Sequence, residues 1–354
     1  MGFIRFLLAC IVVLWHTSMI FGYKPLPSDL AVQCFYVISG FYMSLVLNEK
    51  YPKGSHQLFY KNRFLKIYPL YWLVLVLLVL WAILVNYWGY LSQIWFYKQA
   101  SPLSIGTWSY LIISGLVIIG LDVSFLLGIK DGRLFFTEHY GLSKPKVYQF
   151  SFNAVAWTIG VELLFYLIAP FIVRKRLFLI LLILLASLAL RVVLANNGLS
   201  GQPWNYRFFP NQIMYFMGGC VSYRIYLLMK AWRFSANWLK IQFIALLSII
   251  LIYAYISDNS YYLQAFLFIS LILLIPATFM VSKNNKLDRY LGNLSYPIYI
   301  SQMLVINITT ARAFPKLYNF GFTSLLATIA LSMALYHFVT KPIERIRQSP
   351  FKRF

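Results

Sequence analysis

Arg5 and His16 lie in one otherwise apolar stretch at the start of the chain, with ten residues between them. Positions eleven apart on an α-helix are rotated by about 1100°, roughly 20° past three turns, so both side chains fall on one face. They are then about 16 Å apart along the axis, about half a bilayer core. Ionisable groups at that depth are expensive and are usually held there for function, and an imidazole titrates in the range useful for proton exchange. The blander reading makes Arg5 a flanking charge of an anchor segment and His16 the cap of its far end. Glu162 and Asp122 are the two carboxylates inside apolar runs. A carboxylate in lipid must be paired or protonated. A contact from Glu162 to His16 would orient the ring and favour its protonated form; a pair with an arginine such as Arg207 would only hold helices together. Asp122 reads as a helix-end or packing carboxylate. Arg63 and Lys66, just before Ile67-Tyr68-Pro69, share a face if their segment is helical. They read either as an anion grip or as the ordinary basic flank of a spanning helix.

The elements that must position these groups are helices in a bilayer. The chain has 354 residues, 61% hydrophobic and 11% charged, with a mean hydropathy of +0.71. That composition predicts an all-α polytopic membrane protein rather than a soluble domain. Apolar runs at 3–23, 31–48, 67–88, 108–128, 153–173, 177–195, 208–229, 239–256, 262–281, 290–310 and 321–340 predict a bundle of ten or eleven transmembrane helices. They form one membrane-embedded domain over 1–345, followed by a short basic tail, 346–354. The formal charge of +22 is scattered through loops, which suits membrane orientation and anionic lipid rather than nucleic acid. Cys10, Cys34 and Cys220 have no metal or disulfide spacing and read as small core residues; no metal is expected. The first apolar run carries no small-residue cleavage site and does not read as a signal peptide. Basic clusters at 49–66, 174–176, 230–240, 283–289 and 341–353 predict a cytoplasmic C-terminus. The front half conflicts with this. Both 49–66 and 174–176 belong on the cytoplasmic side, yet three runs separate them, so one of the three does not span or a neighbouring segment dips.

Several stretches fall in one order along the chain: Arg5…His16, Phe35-YVISGF-Tyr42, Arg63-FLKIYPLY-Trp72, Trp157-TIGV-Glu162, Arg207-FFPNQIMYFMGG-Cys220 and Leu294-SYPIYISQ-Met303. Together they resemble the acyltransferase-3 family of integral-membrane acyltransferases, which acylate extracytoplasmic sugars and related acceptors. The resemblance implies that His16 takes part directly in acyl transfer, as general base toward a hydroxyl or as covalent acyl carrier. It implies Glu162 as its catalytic partner, and Arg5, Arg63 and Lys66 as the site for an acyl-CoA. Lys66 stands where the family has a second arginine, a change that removes bidentate geometry but keeps the charge. Ser39, Gly40, Tyr68, Trp157, Arg207 and Gln302 are motif positions expected to line the substrate path or support it. Ser39-Gly40 reads as a close helix–helix contact rather than a nucleophile. Gln33 replaces an acidic residue of the family's pattern, and Gln302 stands where many members have histidine. His56, His139 and His337 match no pattern.

The expected activity is transfer of an acyl group, most simply acetyl, from cytoplasmic acetyl-CoA or another acyl-CoA. The acceptor would be a hydroxyl of a cell-surface glycan or its lipid-linked precursor, at a bacterial inner membrane. The different class of answer is a glycan exporter, flippase or polymerase, which needs neither the Arg5–His16 pair nor the Trp157–Glu162 stretch.

Overall fold

The computed structural model describes all residues except 91, 101, 233, 257–259, 311–313 and 349–354. The helices are α1 (Gly2–Trp15), α2 (Ser28–Glu49), α3 (His56–Tyr87), α4 (Gln93–Gln99) and α5 (Ile105–Val117). After a hairpin of β1 (Leu127–Lys130) and β2 (Arg133–Phe136) come α6 (Trp157–Ile172), α7 (Leu177–Asn196), α8 (Phe209–Ala231) and α9 (Ala236–Ile256). The chain continues with α10 (Tyr261–Ser282), α11 (Lys286–Thr309), α12 (Phe320–Leu335) and α13 (Lys341–Gln348). Helices dominate because a backbone in lipid must satisfy its own hydrogen bonds.

Against an expectation of ten or eleven crossings, six helical segments among the described residues have the length and apolarity a crossing needs. The difference has physical causes. Helices α8 and α11 are 23 and 24 residues long but carry the polar side chains of the interior. Helices α1 and α6 are apolar but only 14 and 16 residues long. Helix α5, with 13 residues, rises about 20 Å, well short of a hydrocarbon core of about 30 Å. The expected single run over 108–128 thus breaks after Val117, and Asp122 sits in a short 3-10 turn (Asp122–Phe125) outside the helices. Burial there pushes its carboxyl up to about 6.

Side chains of α3 terminate α5. The last carbonyls of a helix have no partner within it. Here Tyr68 donates to the carbonyl of Val117 at 2.6 Å, Trp72 Nε1 to that of Leu116 at 2.9 Å, and Tyr71 to that of Gly115. Three aromatic donors of the IYPLYW stretch therefore close a helix that ends short.

The same region removes the conflict in the charge pattern. Arg174 Nη2 donates to the carbonyl of Tyr51 at 2.7 Å and Nε to that of Leu47 at 3.2 Å, while His56 stacks on Phe171 at 5.1 Å. The two basic loops touch each other and lie at one end of the molecule. Arg224 Nη2, reaching the carbonyl of Lys175 at 2.7 Å, brings the end of α8 there too.

Helix α1 is held by α11, and α2 by α8. Asp288, in the first turn of α11, accepts from the backbone N–H groups of Gly2 and Phe3 at 2.7 and 2.8 Å, filling the donors a helix start leaves open. At the α2–α8 crossing a Cβ on Gly40 would collide with the carbonyl of Phe216, and one on Gly219 with that of Val37. The close contact read at Gly40 is thus made with α8. Gly219→Val should therefore cost about 1–3 kcal/mol or more through overpacking. Loss of the monodisperse peak after detergent extraction would register it, and a normal yield at a normal melting temperature would refute the tight crossing. The three cysteines are buried and free. The boundary expected at 346 falls inside α13, and residues 349–354 of the basic tail lie outside the described residues.

Candidate active site

His16 follows the last residue of α1 and is exposed to a cavity of about 1420 Å³ at the end opposite the basic loops. Its Nδ1 lies 3.1 Å from Oε1 of Gln302, a fully buried residue of α11. Gln302 Nε2 donates to the carbonyl of Tyr299 at 2.9 Å, which fixes the amide with its oxygen toward the ring. An amide oxygen only accepts, so Nδ1 carries the hydrogen and Nε2 keeps its lone pair. In the neutral ring this leaves the Nε2 lone pair free to accept a proton. Tyr299 OH in turn accepts from Thr158 Oγ1 at 2.8 Å. Gln302 thus orients the His16 ring. Gln302→Leu should lower kcat about 3–10-fold, the worth of one hydrogen bond, with both KM values little changed. An unaltered kcat would deny it that role.

Glu162 is not brought to His16. Its Oε1 accepts from Ser39 Oγ at 2.6 Å and from Tyr166 OH. The ring of Tyr166 lies 5.5 Å from Cζ of Arg63. Glu162 lies within Coulombic range of Lys66 on one side and of Tyr299 on the other, so it sits between the basic end and the cavity. Arg207 is not its partner either. Arg207 packs against Phe125, Trp157 and Tyr206, with its Cζ 3.7, 4.5 and 5.7 Å from the ring centroids. Ser39, expected at a close helix–helix contact or along the substrate path, has a hydrogen bond to Glu162 that sequence spacing could not reveal.

Arg5 and Lys66 do come together. They line one cleft at the basic end with Tyr296, Glu344 and Arg347. Arg63, buried at 8% exposure with no partner on its Nε, stands within Coulombic range of Lys66 and Arg347. Arg347 was visible in the sequence only as part of a basic tail. It donates to Glu344 at 2.9 Å, so the cluster of four cations holds a local acid. The cleft is small, about 40 Å³, enough for one or two waters.

The face of α1 between Arg5 and His16 is filled by Leu8, Ala9 and Val12, each at most 1% exposed, so the two openings are not joined. The septum is thin. Tyr296 of α11 lines the cleft and Tyr299 lines the cavity, a rise of about 4.5 Å along that helix.

A curated relative, "Protein 2 in picA locus" of Rhizobium radiobacter, is 37% identical over 82 residues, which are 23% of this chain and 43% of that protein. The match thus spans under half the relative's length. No solved structure matches the chain. The family model described as "Acyltransferase domain" matches residues 1–337, nearly the whole chain. A multi-pass helical protein carrying the family's motifs in order over that length belongs to the acyltransferase-3 family of integral-membrane acyltransferases.

Proposed function

We propose that this protein moves an acyl group, most simply acetyl, from cytoplasmic acyl-CoA to a hydroxyl of an extracytoplasmic or lipid-linked glycan. The basic end is then cytoplasmic, together with the C-terminus, in a bacterial inner membrane. Helices α1, α6, α8 and α11 join the six apolar segments as crossings, giving ten. Helix α5 is left out not by its length alone, since α1 is nearly as short, but because the touching basic loops on either side of the α3–α6 region need an even number of passages between them.

The observation that carries the reading is that one helix bears both ends of the reaction: Arg5 in a cleft of cations, His16 in a cavity walled by aromatic and amide side chains. The donor's phosphates are held by Arg5, Arg63, Lys66 and Arg347. Its pantetheine arm is long and narrow, and it must part the septum, one turn of α11 thick, to bring the thioester to His16. The acceptor oxygen attacks the thioester carbonyl carbon as its proton passes to Nε2 of His16. The carbon–sulfur bond breaks, and the imidazolium returns the proton to the departing thiolate, giving the ester and the free thiol. Glu162, between the two regions, steadies Arg63 through Tyr166 and places negative charge near the path.

Release of CoA thiol by purified protein, given acetyl-CoA and candidate glycans, is the deciding measurement. Acceptor-dependent release with ester formation is expected. Glycan translocation in vesicles without thiol release would point instead to an exporter.

A further inference from the structure

The large cavity is lined by two arginines, Arg191 and Arg207, and by one carboxylate, Asp29. Neither guanidinium is paired with an acid. The ion pairs among the described residues lie elsewhere, at Met1–Asp288 and Arg347–Glu344. Arg207 is half-buried, its Cζ 3.7 Å from the ring centroid of Phe125 and 4.5 Å from that of Trp157, and its Nε donates to Gln202 Oε1 at 3.2 Å. Arg191 reaches in from α7, its Nη1 donating to the carbonyl of Asn205 at 3.0 Å and to Tyr215 OH at 3.3 Å.

A neutral sugar is served by aromatic faces and amides, and the cavity has these in Trp157, Tyr299, Gln33 and Asn211. Two arginines against one carboxylate, neither of them ion-paired, leave an excess of cationic side chains that a neutral sugar does not use. Withdrawing a guanidinium from water without an acid partner is costly, and a planar guanidinium fixed by aromatic contact is preorganised for a carboxylate or phosphate. His16 lines the same cavity, so a ligand anchored at Arg207 can offer a hydroxyl to the imidazole.

We propose that the acceptor is an anion: a glycan whose carboxylate or phosphate is bound by Arg207, with Arg191 as a second positive contact, while a neighbouring hydroxyl meets His16. This rests on the acyl-transfer reading and narrows its substrate class.

The test uses the full chain in detergent or nanodiscs with three acceptors. They are a glucuronate-containing oligosaccharide, its carboxyl-reduced neutral counterpart, and that neutral oligosaccharide on a polyprenyl pyrophosphate. A KM about tenfold or more below the neutral counterpart is expected for one charged acceptor, and the acceptor that shows it identifies carboxylate or phosphate as the anchor. Arg207→Gln should raise that KM about 10–100-fold, leave the acyl-CoA KM nearly unmoved and abolish the advantage over the neutral acceptor. Arg207→Lys should recover part of the loss, and added salt should erode the wild-type preference. If Arg207→Gln does not fold, Arg191→Gln supplies the reading through a smaller rise in the same constant. Binding of the three acceptors, followed by tryptophan fluorescence, is measured alongside. Charge-selective binding without CoA release would sink acyl transfer and keep the anion site. Equal KM and equal binding for charged and neutral acceptors would overturn the anion site while acyl transfer stands.

Discussion

Alanine in place of His16 should lower kcat for acyl transfer about 10²–10⁴-fold, the usual contribution of a general base, while the protein inserts and extracts normally. The ring faces the cavity, and its side-chain hydrogen bond is the one to Gln302, so little packing is lost with it. The donor KM should hardly change, because the cations of the cleft are untouched. A variant retaining near-normal turnover would remove His16 from the chemistry. A Glu162→Gln variant gives an instructive contrast. Its amide keeps an acceptor for Ser39 and Tyr166 and takes negative charge away from beside the cations of the cleft, so the donor KM should not rise and any loss should appear in kcat.

Neutralising the donor grip should give the second large effect. Lys66→Gln is expected to raise the acyl-CoA KM about 10–100-fold, the worth of one charge-assisted contact, and Arg63→Gln Lys66→Gln by more. The acceptor KM should move much less, and the penalty should shrink in high salt as the remaining cations are screened. Lys66→Arg, which restores the family's residue, should be tolerated or should tighten donor binding through a bidentate fork. Equal rises in both KM values would mark a folding or topology defect instead. Arg63 is buried against Phe59 and Tyr166, so its single replacement also reports on packing.

The parts of the site legible from sequence were those fixed by local spacing. An eleven-residue interval on an uninterrupted helix sends Arg5 to one end and His16 to the other, and the structure has that helix. Arg63 and Lys66, three apart on α3, likewise fall into one cluster with Arg5. What spacing cannot report is which distant side chain meets which. Glu162 resembled a partner for His16, but α6 packs it against Ser39 of α2, whereas Gln302, 286 residues from His16 in the chain, fixes the imidazole. Apolarity also ran 108–128 together as one stretch, because hydropathy does not register that Tyr68, Tyr71 and Trp72 are available to end α5 at Val117. Arg347 was legible as charge but not as a wall of the cleft, since its position depends on α13 folding back beside α3.

The early end of α5 has a consequence for inheritance and engineering that concerns parity rather than packing. A polytopic chain alternates sides with every crossing, so one added or lost passage reverses everything downstream. The basic loops at either end of the α3–α6 region touch through Arg174, which requires an even number of passages between them. Extending α5 by about seven apolar residues would bring it near 20, a full transmembrane length, and make that number odd. Arg174–Arg176 would then be driven to the side their charge disfavours, or a downstream helix would have to stay out of the bilayer. Insertions elsewhere in the loops add length. Here they would change handedness with respect to the membrane, and a segment of 13 residues is where the chain is least free to grow.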